Sequence, residues 1–245
     1  TNITPQGFAS FHERIVMSYA PSNENIIYFA VDNDKLEIWK YNDLNSAWIN
    51  LSNNIPDFEE DLGAFDSQDG YNMVIAVHPE DENIVFLGGT NLYRTTDGFA
   101  STENNAWIGG YDIEGSSSLY EGHHPDQHAL VFYPSDGDKM LSANDGGLMV
   151  TNNNTADQPS WTSLNNGYVT SQFYSIALSK DLNSNAMAGG MQDNGTYLKT
   201  APGENQPWND IFGGDGGYTA ATPEAVFWYA SFQESQIYRL TLDKQ

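Results

Sequence analysis

The stretch Gly122 to Leu130 reads GHHPDQHAL and places three of the chain's five histidines, with one aspartate, within six residues. His124, Asp126 and His128 stand at i, i+2 and i+4. On an extended backbone that spacing turns all three side chains to one side. Two imidazoles and a carboxylate on one face suit zinc or a similar transition metal. Pro125, between them, can bend the chain out of that register. Two other readings stay open: a hydrogen-bonded polar corner that pins the loop to its neighbour, and direct contact with a ligand. His12 and His78 stand alone, and His78 in VHPED reads as part of a strand-end turn.

A second set of polar residues sits in glycine-rich turns: Asn144 and Asp145 in NDGG, Gln192 and Asp193 in MQDNG, and Asp215 in GGDGG. Glycine after aspartate supplies the positive φ of tight hairpin turns, and the carboxylate can cap its own turn. A functional reading pairs two of Asp145, Asp193 and Asp215 as acid and as base or nucleophile for glycoside hydrolysis, at a carboxyl separation of roughly 5–10 Å. Clustered Asp and Asn oxygens also suit calcium, although no turn carries an EF-hand-like ligand series. Tyr168 and Tyr218 stand near these turns and can stack on sugar rings or peptide side chains; Phe173 reads as core. GGDGG and AGGMQDNG lack the following helix and lysine of a phosphate loop. No serine or cysteine stands in a nucleophile elbow.

What positions these residues is a repeat. RIVMSYAPSNENIIYFAV (14–31) resembles NMVIAVHPEDENIVFLGG (72–89), then HALVFYPSDGDKMLSAN (128–144), FYSIALSKDLNSNAMAGG (173–190) and GYTAATPEAVFWYAS (217–231). Each has an alternating apolar strand, a polar turn and a second strand ending in small residues. A third strand follows: KLEIWKY, NLYRTT, GLMVTN, GTYLKT or QIYRLT. Most units then reach a tryptophan, Trp48, Trp107, Trp161 or Trp208, at spacings of 59, 54 and 47 residues. Short β-branched and aromatic runs bounded by Gly, Asn, Asp and Pro, without helical periodicity, predict an all-β chain. Four short strands per unit predict blades of a β-propeller, approximately 11–60, 71–110, 126–165, 171–212 and 216–245. The tryptophans belong on the outer strands, packed between blades.

Four blades and a fraction do not close a ring, and an open ring leaves unpaired edges. The expectation is one propeller domain or fragment that belongs to a larger propeller; a five-blade ring completed by the N-terminus is the alternative. In such a fold, the loop entering an innermost strand and the turn between second and third strands emerge on one face. His124, Asp126, His128, Asp145, Asp193 and Asp215 are therefore expected to share a rim.

Nine Lys and Arg against 33 Asp and Glu give a net charge of −24, which repels nucleic-acid phosphates and anionic membranes. The chain has no cysteine, and no apolar run approaches the roughly 18 residues of a membrane span. The start, TNITPQGF, shows no secretory signal and reads as processed or cut. With abundant Asn, Gly, Ser and Thr, the composition fits an exported bacterial protein at the cell surface or outside it.

The run HPDQHAL…ANDGGLMVTNN…WTSLNNGYVTSQFYSIAL…AGGMQDNGTYL…WNDIFGGDGGYTA resembles the BNR-like, or Asp-box, propellers. That superfamily includes sortilin-type domains, xyloglucanase-type glycosidases and photosystem assembly-factor propellers, and the run most resembles long exported Bacteroidetes proteins named "glycosyl hydrolase". The Asp-box, roughly S-x-D-x-G-x-T-W, is altered here. TTDGFASTENNAW keeps Thr96, Asp97 and Gly98 but delays the tryptophan, and VTNNNTADQPSW has no aspartate at the matching place. The resemblance implies a propeller, and in the xyloglucanase-type enzymes a catalytic aspartate lies in a turn similar to NDGGLMV, which carries over to Asp145. The resulting expectation is a binding or scaffolding module for a polysaccharide or protein partner, or for other domains of its own polypeptide. The alternative is a glycoside hydrolase.

Overall fold

In a computed structural model, residues 1–8, 12–33, 35–58, 62–112, 118–168, 170–180, 185–200, 206–223 and 225–241 are described. Positions 11, 60 and 242–245, at the ends of the first and fifth expected blades, lie outside them. The described chain is nearly all β, with two single-turn 3₁₀ segments at Ser52–Asn54 and Gln233–Ser235. Its strands form five antiparallel meanders. The first is β1 (Arg14–Ala20), β2 (Asn23–Asp32), β3 (Glu37–Asn42) and β4 (Ala47–Asn50); the second is β5 (Val74–Val77), β6 (Val85–Gly88), β7 (Leu92–Thr95) and β8 (Asn105–Gly109). The third is β9 (Gln127–Tyr133), β10 (Asp136–Asn144), β11 (Gly147–Thr151) and β12 (Thr162–Ser163). The fourth is β13 (Phe173–Leu178), β14 (Met187–Met191), β15 (Thr196–Lys199) and β16 (Asn209–Phe212). The fifth has three strands, β17 (Thr219–Ala221), β18 (Phe227–Ser231) and β19 (Ile237–Thr241). This is the blade topology of a β-propeller, four whole blades and a partial one. The chain divides into two compact units, Thr1–Tyr168 with three blades and Val169–Gln245 with two.

In the first unit the innermost strands lie side by side, β1 against β5 and β5 against β9. The sheets stack face to face, and the second is sandwiched. Val85 and Leu87 of β6 pack toward the first blade, with Tyr28, Ile38, Met73, Ile75 and Phe99. Phe86, one residue out of phase, packs the other way against Met140, Met149 and Trp161 of the third blade. This is the two-residue alternation of a strand serving two neighbours, and it explains why VFLG and LYRT are buried at every position. In the second unit β13 lies beside β17, and Ala177, Ala186 and Ala188 pack on Trp228.

Trp48 and Trp107 lie on the outermost strands β4 and β8, while Trp161 and Trp208 immediately precede β12 and β16. Trp161 joins two blades directly: it is buried, and its Nε1 donates to the Ile108 carbonyl at 2.8 Å. Between β7 and β8, Asp97 closes the TTDGFASTENN loop. Its carboxylate accepts from Thr95 Oγ1 (2.8 Å), the Ala100 amide (3.0 Å), Ser101 Oγ (2.8 Å) and Asn104 Nδ2 (2.8 Å). Burial alone would raise its pKa, but these bonds outweigh burial and hold the carboxyl below the usual range. Asp97 is thus a loop staple.

Phe86 has no exposed surface and touches the Phe132 ring at a centroid distance of 5.6 Å. Phe86→Ala should cost about 3–5 kcal/mol of stability. Urea denaturation followed by a probe in the first unit checks this; a loss below about 1 kcal/mol would contradict the sandwich packing.

Candidate functional site

The GHHPDQHAL stretch splits into residues with different duties. His123 is buried and structural. Its Nδ1 accepts from the Gly110 amide at 3.0 Å, so the ring proton sits on Nε2, which faces Ser142 Oγ at 3.0 Å. Ser142 passes the chain on to Gln127 Oε1 (3.0 Å), and Gln127 Nε2 donates to the His124 carbonyl (2.8 Å). Trp161 covers the ring at 4.4 Å, and a Cβ at Gly109 would come within 2.5 Å of His123 Nδ1, so only glycine fits there. Burial, helped by His124, pushes the His123 pKa down to about 3. Nothing in the sequence distinguished this buried histidine from its two neighbours.

The single extended face that one reading of this spacing required does not form. β9 starts only at Gln127, and Asp126 has φ +66°, so the backbone is not extended from 124 to 128 and the i, i+2, i+4 rule fails. His124 Nδ1 donates to the Pro125 carbonyl (3.1 Å), and its ring lies against Gly146, where a Cβ would come within 2.4 Å. Asp126 Oδ1 accepts from Asn72 Nδ2 (2.6 Å). Its amide donates to the Thr90 carbonyl (2.9 Å), which ties the third blade's entry to the second blade. Among the described residues no three His, Asp or Glu side chains gather as a metal-holding group.

His128 and Asp145 do meet. β9 carries the imidazole, the β10–β11 turn carries the carboxylate, and Nε2 stands 2.5 Å from Oδ1 with each side chain 35% exposed. The Asp145 amide also donates to the Asp126 carbonyl (3.3 Å), so the entry loop and the hairpin turn share one face, as the repeat predicts. Tyr71, itself exposed, meets His128 edge to face at 5.4 Å. The sequence carried no sign of Tyr71, which reaches this place from the loop before β5. Asn144 is buried, and its Oδ1 accepts from the Gly146 amide (3.1 Å), the self-capping role of a turn residue.

In the second unit the hairpin turn of the fourth blade meets the entry loop of the fifth. The Asp193 amide, at φ +54°, donates to Asp215 Oδ1 (2.8 Å), and Asp215 Oδ2 accepts from Gln233 Nε2 (2.5 Å). The backbone bond from Asp193, followed by Gln233, holds the Asp215 carboxyl below the usual range. That shift is opposite to the one a general acid needs. Gln192 accepts from the Tyr174 hydroxyl, while Tyr168 and Tyr218 are exposed. Phe173 packs on Trp208 at 5.6 Å.

The His123 shift has a signed consequence. The unfolded histidine takes up a proton below about pH 6.5, whereas the folded one stays neutral to about 3, so its contribution is complete above 6.5 and declines as pH falls between those values. In urea titrations at stepped pH, the native chain should lose up to about 1.4 kcal/mol per pH unit in that window relative to His123→Gln. Parallel profiles would show that the folded imidazole accepts a proton.

No protein-family model matches the chain, and no curated protein does. Among solved structures it is similar to the GH74 xyloglucanase from Xanthomonas campestris, at 14% identity and TM-score 0.47 over 97% of this chain and 42% of that one. It is also similar to the GH74 enzyme of Niastella koreensis (14% identity, TM-score 0.45, 94% of this chain and 41% of that one). A third is the Cps50 (Swd1) β-propeller domain of Myceliophteria thermophila (12% identity, TM-score 0.33, 92% and 70%). The chain spans about two fifths of the length of the two GH74 enzymes.

Proposed function

We propose that this protein is an exported binding module that holds a neutral, hydroxyl-rich ligand such as a polysaccharide chain at the blade rim carrying His128, Asp145 and Tyr71. One observation carries the reading. The other polar residues of this rim in the first unit, His123, His124, Asp126 and Asn144, bond to the backbone or to neighbouring loops. His128 and Asp145 instead bond each other, side chain to side chain, about a third exposed and beside the open ring of Tyr71. An aromatic face next to a donor and an acceptor is the grammar by which sugars are recognised: the ring takes the C–H face and the polar pair takes hydroxyls. The pair is cheap to open, because an intramolecular hydrogen bond contributes only about 0.5–1.5 kcal/mol net. A charge of −24 disfavours acidic glycans and nucleic acids as ligands.

Calorimetric titration with a panel of neutral polysaccharides, and one polyuronate as control, tests the reading. Binding by a neutral member should weaken about 3–10-fold in Tyr71→Ala and in Asp145→Asn, while the polyuronate does not bind. The reading fails if no neutral polysaccharide binds, or if both variants bind as tightly as the native chain.

A further inference from the structure

The chain holds two Asn-Gly pairs, Asn166–Gly167 after β12 and Asn194–Gly195 in the β14–β15 turn. In such a pair the glycine nitrogen has no side chain beside it and can reach the carboxamide carbon of the asparagine. Whether it does depends on how firmly the two groups are held. At the second pair they are held on all sides. The Gly195 amide donates to the Gly214 carbonyl (2.8 Å), and Asn194 Nδ2 donates to the Gln192 carbonyl (3.1 Å). The Gly195 carbonyl accepts from the Met191 amide (2.9 Å). A Cβ at Gly195 would come within 2.2 Å of the Phe212 carbonyl oxygen, so the peptide has no room to turn.

At the first pair both groups are loose. Asn166 and Gly167 are exposed, and a Cβ at Gly167 would meet nothing within 4 Å. Neither the Asn166 carboxamide nor the Gly167 nitrogen has a hydrogen-bond partner among the described residues. The two form the tip of a turn that the Tyr168 amide closes on the Asn165 carbonyl (2.9 Å). Gly167, at φ +79°, occupies the third position, where a type II turn needs glycine. The neighbouring Asn165 marks the contrast. Its Oδ1 accepts from the Leu148 amide (2.9 Å) and its Nδ2 donates to the Gly146 carbonyl (2.6 Å), so it fixes the turn while Asn166 stands free.

We propose that Asn166 is a site of spontaneous self-modification, at which the folded chain converts asparagine to aspartate and isoaspartate, and that the fold protects Asn194 from the same reaction. The Gly167 nitrogen loses its proton and bonds to Asn166 Cγ; the Cγ–Nδ2 bond breaks, and ammonia leaves with that proton. Water then opens the cyclic imide at either carbonyl, giving aspartate or an isoaspartate whose backbone runs through Cγ. Nothing is oxidised or reduced, and each event adds one carboxylate beside the residue that fixes the turn. The test incubates the full chain in mildly alkaline buffer and follows both Asn-Gly peptides by mass spectrometry, aspartate and isoaspartate forms resolved. In the native chain Asn166 should convert at least about tenfold faster than Asn194, whose two hydrogen bonds must first open. In urea that unfolds the chain the two rates should converge. Hydroxylamine, which cleaves the imide, should cut the native chain between Asn166 and Gly167, and Asn166→Gln should abolish that cut. Equal rates in the native chain, or faster conversion at Asn194, overturns the proposal. A difference that persists unchanged in urea overturns it as well, because it would belong to the flanking sequence and not to the fold.

Discussion

The burial of both faces of the second blade is the constraint from which the rest of the first unit follows. A four-stranded meander of strands four to ten residues long cannot hide its apolar side chains within itself. In the first unit the second sheet presses one face on the preceding sheet and the other on the next. In β6 the decision is made residue by residue: Val85 and Leu87 go one way and Phe86 goes the other. A fully buried side chain of this kind contributes about 1.5–3 kcal/mol relative to exposure, and only stacking collects that contribution on both faces.

Stacking in turn decides what the connecting loops must do. Within each unit, an entry loop runs beside the previous blade, where its backbone would otherwise lose water without gaining a partner. The amides of Asp126 and Gln127 therefore donate to Thr90 and Gly89, and in the second unit the Gly216 amide donates to Met191. The His123–Ser142–Gln127 chain does the same work with side chains. Several polar residues that look chemically interesting in the sequence, Asp126, Asp193 and Asp215 among them, are thus employed in joining blades. The rim pair His128–Asp145 stands out because its partners are each other.

Electrostatics follows the same division. Carboxylates that staple loops, Asp97 and Asp215, are held ionised by amide and hydroxyl donors rather than by cations, which are scarce among nine Lys and Arg. The remaining acid is spread over the surface and shapes which ligands can approach.

The amino-acid sequence by itself determined the number of blades, their strand order and the positions of their turns. Those features are local: two-residue alternation, turn residues and an aromatic every fifty or so positions are written along a single stretch of chain. It also placed the entry loop and the hairpin turn on one face, but the bond between His128 and Asp145 there is a finding of the structure. What it could not determine were the quantities set by distant neighbours. The positive φ of Asp126, which dissolved the metal face, accompanies a bond to Asn72, 54 residues away. The neutrality of His123 depends on its burial, to which Trp161 contributes, and the arrival of Tyr71 beside His128 depends on the loop of another blade. Only the tertiary structure decides these, because a side chain's charge and partners depend on which donors, acceptors and apolar surfaces the packing of the sheets brings to it.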